Sequence, residues 1–167
     1  MAVRVSNSIG EMKSNNITRL LDSHNIPYTA FELPLEKISA LETACLLNVS
    51  TVLVYKTIVV TREIKGKSIL ALVPGPNEVD LKALAHAVGE KKVHIPTERE
   101  AERLTGLQAG GNSPLALLNR GFQIILDSSA QAHAEIHISG GQRGLNIRLP
   151  VSDLIALTNA LVAEISH

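Results

Sequence analysis

The sequence is poor in several residue types, and each shortage excludes a class of protein. Cys45 is the single cysteine, which excludes an internal disulfide and a zinc site with several cysteines. Trp is absent and only two Phe and two Tyr occur, so the core must be aliphatic and rows of base-stacking aromatic side chains are not expected. Sixteen basic residues balance sixteen acidic ones, which argues against strong non-specific binding to nucleic acid but allows a local basic patch.

Long hydrophobic runs are also missing. No run approaches the length of a membrane span, and residues 1–13 are too polar for a signal peptide. We therefore expect a cytoplasmic protein with no membrane partner. A chain of 167 residues with 45% apolar content fits one globular domain. Residues 1–14 show no clear period and are expected to be a loose arm, and residues 15–167 are expected to form the domain.

The order of predicted elements indicates an α/β fold of the mixed α+β kind. Because regular βαβ alternation is absent and several connections have hairpin length, we expect a mixed, mostly antiparallel curved sheet flanked by helices. One such connection contains a Lys65-Gly66 turn. The predicted strands are 28–33, 52–60, 68–73, 93–95, 122–127, 134–139 and 145–149. The predicted helix caps are Asn15 or Asn16, Ser39, Asp80, Thr97 and Ser152.

Two helices carry apolar stripes that predict their buried faces. Behind Ser39, the stripe includes Cys45, so this thiol is predicted to be a small core side chain and not a nucleophile. The last helix is predicted to continue from Ser152 through Leu161 to Ile165.

Lys56 is the single charged residue in the β-branched strand 52–60. Because burying an unpaired charge is costly, its ammonium group must either extend to water from a sheet edge or open into a cleft. The strand by itself does not decide between these alternatives.

Few other patterns suggest chemistry. His133, Glu135 and His137 alternate along a predicted strand and could ligate a metal, although the exposed face of an edge strand gives the same pattern. Two glycine-rich turns, residues 110–114 and 139–144, could bring main-chain N–H groups close to a ligand. Walker, Rossmann, H-E-x-x-H and nucleophile-elbow motifs are absent.

Four segments in order resemble one family. They are Val54-Tyr55-Lys56-Thr57; Thr105-Gly106 with Gly110-Gly111-Asn112-Ser113-Pro114-Leu115; Ile125-Leu126-Asp127; and Ser139-Gly140-Gly141-Gln142-Arg143-Gly144-Leu145. Together they resemble the YbaK/ProX/EbsC family of free-standing aminoacyl-tRNA deacylases, which are related to the editing domain inserted in bacterial prolyl-tRNA synthetases. The resemblance extends from about Asn16 to the last helix and implies a YbaK-like fold.

The resemblance implies particular roles for these residues. Lys56 corresponds to the essential lysine associated with the 3′-terminal nucleotide. Residues 110–114 correspond to the G-x-x-x-P loop beside the aminoacyl ester. We therefore expect Lys56, Gly110 and Gly111 to be catalytic, with no cofactor. The expected substrate-binding residues are Lys56, Asn112, Ser113, Pro114, Gly140, Gly141, Asn146 and Leu33. The implied partners are the acceptor end of an aminoacyl-tRNA and an aminoacyl-tRNA synthetase such as prolyl-tRNA synthetase.

Asn146 and Leu33 depart from the family's cysteine-specific members, in which the resemblance places an aspartate and a tyrosine. Asn146 keeps hydrogen-bonding capacity without charge, and Leu33 offers only bulk. The substrate is thus either Cys-tRNA(Pro) or another small aminoacyl-tRNA. A non-catalytic module that binds aminoacyl-tRNA or a nucleotide is the alternative function.

Two further predictions concern charged residues. Asp127 matches a family aspartate, but at a strand end it is expected to anchor local backbone N–H groups. Six basic residues could form a rim for the acceptor stem or could simply be scattered surface charges. These residues are Lys91, Lys92, Arg99, Arg103, Arg143 and Arg148.

Overall fold

The computed structural model describes residues 4–6, 15–63 and 66–167. Within them, nine strands form two sheets with the orders β1-β2-β8-β7 and β5-β3-β4-β6-β9. The strands are β1 Arg4–Ser6, β2 Thr29–Glu32, β3 Tyr55–Arg62, β4 Ile69–Pro74, β5 Val93–His94, β6 Gln123–Asp127, β7 Glu135–Ser139, β8 Leu145–Pro150 and β9 Leu161–Ala163. The α-helices are α1 Asn16–Ser23, α2 Ala40–Leu47, α3 Leu81–Val88, α4 Glu98–Thr105 and α5 Val151–Thr158, and two short 3₁₀ helices are Thr51–Leu53 and Ser128–Ala132.

Antiparallel pairing is general in the first sheet, whereas the second sheet is mixed. Every pairing in the first sheet is antiparallel. In the second sheet β3 is antiparallel to β4 and β5, whereas β6 runs parallel to both β4 and β9. The predicted class, a mixed α/β fold with mostly antiparallel pairing, is confirmed, and the strands divide between two sheets.

The core has two layers because side chains alternate along β4. Leu70 and Leu72 pack in a large cluster with side chains of the first sheet, α1 and α5. Ile69, Ala71 and Val73 belong to a second cluster that α3 covers. Aliphatic residues dominate both clusters, as the scarcity of aromatic residues predicts. Among the described residues, no helix is long and apolar enough to cross a membrane.

Local capping chemistry explains the helix starts. The side chains of Asn15, Ser39, Asp80 and Thr97 each accept a hydrogen bond from a main-chain N–H group in the first turn. Such bonds satisfy groups that have no partner within the helix. These four predicted caps are confirmed.

The prediction for the last helix is wrong at both ends. The N-terminal cap is Pro150, and Ser152 lies within the first turn. The helix ends at Thr158 because Asn159 adopts the left-handed conformation with φ of 54°. Leu161 therefore belongs to β9, and the buried Ile165 lies beyond that strand.

Cys45 is exposed, which contradicts its predicted place in the core. Helix α2 buries Thr43 and Ala44 instead of its longer apolar side chains. A Cβ at Gly75 would lie 3.1 Å from Ala40 Cβ, so the backbone approaches this face closely. The buried side of α2 therefore carries small side chains, and Cys45 lies on its exposed side.

Two predictions fall on segments that the structure describes in part. Residues 1–14, the expected loose arm, are described only at Arg4–Ser6, and these residues pair with β2. The rest of that segment, and Lys65 of the expected Lys65-Gly66 turn, lie outside the described residues. The division into arm and domain stays a prediction.

Candidate functional site

A cleft of about 590 Å³ lies where the two sheets meet. Val54, just before β3, forms an isolated parallel bridge with His137 of β7 and so joins the sheets. The walls come from β3, the segment from Leu33 to Thr43, the start of α4, and the two glycine loops. Strand β3 begins at Tyr55, three residues later than predicted, because Thr51–Leu53 form a 3₁₀ turn. The volume is within the range of about 300–1,000 Å³ that is typical of small-molecule sites.

Lys56 lies in this cleft near the start of β3. Its side chain is 25% exposed, and its Nζ is 3.6 Å from Oε1 of Glu78, whose side chain is 81% exposed. An ion pair of this kind is weak because water screens the exposed carboxylate. The ammonium group can therefore exchange Glu78 for an anionic ligand at low cost.

The first glycine loop divides into an exposed and a buried part. Gly110 and Asn112 line the cleft, and Gly110 has φ of +89°, which favours glycine. Gly111, Ser113 and Pro114 are buried and do not line it. Ser113 Oγ accepts a hydrogen bond from the N–H group of Leu115 at 3.2 Å, so this hydroxyl stabilises the turn.

The second glycine loop packs directly against the first. A Cβ at Gly111 would lie only 3.1 Å from Gln142 Cα, so glycine permits this close approach. Arg143 Nε donates to Ala109 O at 2.8 Å and fastens the two loops together. Gln142 and Arg143 line the cleft, whereas Gly140 and Gly141, which were predicted to bind substrate, do not.

Asn146 and Leu33 lie on the wall that the first sheet contributes. Asn146 is 4% exposed, and its Oδ1 is 2.9 Å from Nδ1 of His137, which is 2% exposed. Burial lowers the pKa of His137, and the bond to Asn146 opposes this shift only in part. The imidazole is therefore neutral at pH 7, and it packs 5.3 Å from the ring of Phe31.

The possible metal site is not supported by the geometry. His137 is bound to Asn146, Glu135 Oε1 is 3.8 Å from Arg148 Nε, and His133 precedes the start of β7. Across the residues that the structure describes, no group of three His, Cys, Asp or Glu side chains is placed to hold a metal ion.

The six basic residues expected at a rim are not gathered around the cleft. Of this set, Arg143 alone is part of the lining. Lys91, Lys92, Arg99 and Arg103 are exposed, and Arg148 lies over the ring of Phe31 at 5.6 Å. The lining instead includes Lys37, whose Nζ is 2.5 Å from Glu98 Oε2. No sequence signal marks Lys37.

Thr57 was also missed, although it belongs to the quoted motif beside Lys56. It lines the cleft, and its Oγ1 is a buried atom without a hydrogen-bond partner in the described part of the chain. Asn112 Oδ1 has the same two properties. Unpaired buried polar atoms depend on three-dimensional contacts, so a strand pattern cannot reveal them.

Asp127 serves as the predicted structural anchor. Its Oδ1 accepts from the N–H group of Ile165 at 2.9 Å, and its Oδ2 accepts from the N–H and hydroxyl groups of Ser129. The Ser129 hydroxyl is 2.7 Å from the Tyr55 hydroxyl at the start of β3. Asp127 therefore supports the strand that carries Lys56, from outside the cleft lining.

Comparison with known proteins defines the class. The sequence profile of the aminoacyl-tRNA editing domain family matches residues 36–157. The match spans the cleft-forming segments from α2 to α5, including Lys56 and both glycine loops. The chain belongs to the aminoacyl-tRNA editing domain family, which confirms the resemblance seen in the sequence.

Individual relatives agree with this assignment. The chain is 33% identical over 156 residues to an Enterococcus faecalis protein, EbsC, named as a candidate Cys-tRNA(Pro)/Cys-tRNA(Cys) deacylase, with 92% of this chain and 94% of the relative covered. It also matches the crystal structure of a candidate trans-editing enzyme for prolyl-tRNA synthetase, with a TM-score of 0.77, 26% identity, and coverage of 93% and 99%. The crystal structure of the hypothetical protein APE2540 shares the fold, with a TM-score of 0.83, 21% identity, and coverage of 92% and 100%.

Proposed function

We propose that this protein is an aminoacyl-tRNA deacylase that hydrolyses the ester of a tRNA carrying the wrong small amino acid. The observation that carries the proposal is the meeting of Lys56 and Gly110 in one cleft, within a chain of the editing-domain family. Deacylation breaks the bond between the acyl carbon and the ribose oxygen. Water supplies the hydroxyl group to the acid and the proton to the released ribose.

Lys56 is the proposed ligand of the terminal phosphate. Phosphate would replace Glu78 as the partner of the ammonium group and would form a charge-assisted hydrogen bond, which is stronger than a neutral one. Glu78 is exposed, so its release leaves no buried charge behind.

The main chain around Gly110 is the proposed site of the ester carbonyl, because Gly110 lines the cleft, whereas the N–H group of Gly111 already donates to Gln108 O at 2.9 Å. N–H groups that are already fixed in position can stabilise the oxyanion that develops there. The second glycine loop and Arg143 hold this segment in place through their contacts with residues 109–111. An activated ester mainly needs positioning, so the attacking group is a bound water or the substrate's own side chain.

The proposed substrate is a small aminoacyl group on tRNA(Pro). The name of EbsC makes cysteine the first candidate, and prolyl-tRNA synthetase in the cytoplasm is the proposed partner. Asn146 keeps alanine, serine and threonine as further candidates, because its neutral amide cannot take a proton from a thiol, and the buried His137 behind it does not line the cleft.

Purified protein incubated with a panel of tRNA(Pro) charged with cysteine, alanine, serine or threonine tests the proposal. We expect release of at least one of these amino acids well above the uncatalysed rate. Tight binding of the charged tRNA without any release would instead support the non-catalytic binding module. Correctly charged prolyl-tRNA(Pro) serves as the negative control.

A further inference from the structure

Two buried oxygen atoms of residues that line the cleft have no hydrogen-bond partner in the described residues. They are Thr57 Oγ1 and Asn112 Oδ1. Thr57 is 9% exposed, so water reaches its side chain poorly. A buried polar group without a partner destabilises the fold, and valine would remove that cost at position 57 with nearly the same shape. The unmet hydrogen bonds therefore point to a ligand.

The main chain of Thr57 also borders the cleft. The N–H group of Gly75 donates to Val54 O at 2.8 Å, so Val54 directs its carbonyl toward the β4 side. Main-chain polar groups alternate direction along a strand, which turns those of Thr57 toward the opposite edge of β3. On that edge β5 pairs with Thr61 and Arg62 only, so within the described chain the edge at Thr57 borders the cleft.

The lining also favours a positively charged donor. Four carboxylates and three cations lie around the cleft. The carboxylates are Glu36, Glu78, Glu98 and Glu102, and the cations are Lys37, Lys56 and Arg143. The amide oxygen of Asn112 can only accept hydrogen bonds, and the hydroxyl group of Thr57 can accept as well. The matching ligand group carries several N–H donors and a positive charge.

We infer that Thr57 Oγ1 and Asn112 Oδ1 accept hydrogen bonds from the α-ammonium group of the aminoacyl ester. This inference rests on the proposed function and adds the feature by which the site recognises an unblocked amino acid. The ammonium group has three donors, and a charged donor strengthens each bond to a neutral oxygen. Thr57 is thus a positioning residue beside Lys56.

The test uses an analogue that cannot be hydrolysed, adenosine with alanine joined through a 3′-amide, and its N-acetylated form, which lacks the ammonium group. Calorimetric titration of the wild-type protein is expected to give about tenfold weaker binding after acetylation. In Thr57→Val the analogue with the free amine should bind about tenfold more weakly, and acetylation should then change its affinity by less than about threefold.

Further variants separate recognition from folding. Thr57→Ser and Asn112→Asp keep an acceptor and should retain the acetylation penalty, whereas Asn112→Leu should lose it. Thr57→Val should melt at the same temperature as wild type or higher, because it removes an unsatisfied hydroxyl group. Thr158→Val is the matched control; its hydroxyl donates to Leu154 O at 2.7 Å, so this variant should lose stability and keep the penalty.

The outcomes are distinct. An unchanged penalty in Thr57→Val, or no binding of the free-amine analogue by wild type, overturns the inference. A third result also overturns it. If an analogue that lacks the ribose 2′-hydroxyl binds wild type and Thr57→Val equally well, the partner of Thr57 is the ribose and not the ammonium group. The proposed function can fail separately. If acetylation weakens binding as expected but no amino acid is released from any charged tRNA, the proposed function is disproved and this inference stands.

Discussion

Two buried polar regions of this protein differ in how completely their hydrogen bonds are made. At the end of β6, Asp127 is 3% exposed, and each of its carboxylate oxygens accepts at least one bond. In the cleft, Thr57 Oγ1 and Asn112 Oδ1 lack partners among the described residues, and Lys56 has only a distant, exposed carboxylate. The first region is complete in the folded chain, and we propose that a ligand completes the second.

Hydrogen-bond satisfaction distinguishes a structural anchor from a binding site better than burial does, because both regions are buried. Satisfied buried bonds fix segments relative to one another, as Asp127 fixes Ser129 and Ile165. Unsatisfied buried atoms reduce stability and persist where binding repays their cost. Substitutions in the two regions should therefore act on different quantities.

Of these substitutions, Lys56→Ala should have the largest effect, and this effect should fall on deacylation activity and not on stability. We expect deacylation to fall by at least about 100-fold, as for loss of one charged or oxyanion-binding donor. The free energy of unfolding should be unchanged or slightly higher, because the pair with Glu78 contributes little. Deacylation is measured as the initial rate on the charged tRNA that wild type hydrolyses fastest, and stability is measured by urea unfolding. Lys82→Ala, at an exposed position, is the control. Full activity in Lys56→Ala would remove the lysine from the mechanism.

Asp127→Ala should show the opposite pattern, with a large loss of stability. Three donors, the N–H groups of Ser129 and Ile165 and the Ser129 hydroxyl, lose their acceptor. We expect the free energy of unfolding to fall by about 3 kcal/mol. Asp153→Ala, in the first turn of α5, is the control and should cost less than about 1 kcal/mol. A loss at Asp127 no larger than this control would mean that the network is not an anchor.

Gly111→Ala tests the contact between the glycine loops and should moderately lower both deacylation activity and stability. The added Cβ would lie 3.1 Å from Gln142 Cα, which is backbone and cannot move aside alone. We expect about a tenfold loss of deacylation and about 1 kcal/mol of stability. Gly89→Ala meets no atom within 4 Å but has φ of +75°, so it should cost similar stability and leave activity intact. Equal activities in the two variants would contradict a role for loop spacing.

Much of the fold followed from local chemistry in the sequence. Caps such as Asn15 and Ser39 are satisfied within a few residues, so the sequence alone marks them. The errors occurred where tertiary contacts override an apolar pattern. Helix α2 buries the small residues Thr43 and Ala44 and exposes Cys45, and Asn159 ends the last helix where leucines continue the helical spacing.

The candidate site was predictable in its motifs and not in its geometry. Lys56, Gly110, Asn112, Asn146 and Leu33 line one cleft, although they are far apart in the sequence. The buried members of the glycine loops could not be separated from the lining ones, because that depends on how the two loops pack. The roles of all these residues stay predictions, and the variants above test those of Lys56 and Asn112.

The His137–Asn146 pair combines features of the two regions, because it is buried and hydrogen-bonded yet Asn146 lines the cleft. Burial lowers the pKa of His137 in the folded protein below its ordinary value of 6.5. Well above pH 6.5 the imidazole is neutral in both states, and pH has no effect on stability through it. As the pH falls below 6.5, the unfolded chain gains a proton that the folded protein resists, so stability is lost until the folded pKa is reached.

His137→Gln should remove this component of acid sensitivity, which is the smallest of the predicted effects. One proton gives a slope of at most about 1.4 kcal/mol per pH unit. Urea unfolding at several pH values between about 7.5 and 5 should show a shallower decline for His137→Gln than for wild type. His86→Gln, at an exposed position of α3, should follow the wild-type curve. Parallel curves for His137→Gln and wild type would mean that the imidazole takes up its proton as readily in the folded protein as in the unfolded chain. Burial of the His137–Asn146 pair would then not contribute to acid sensitivity.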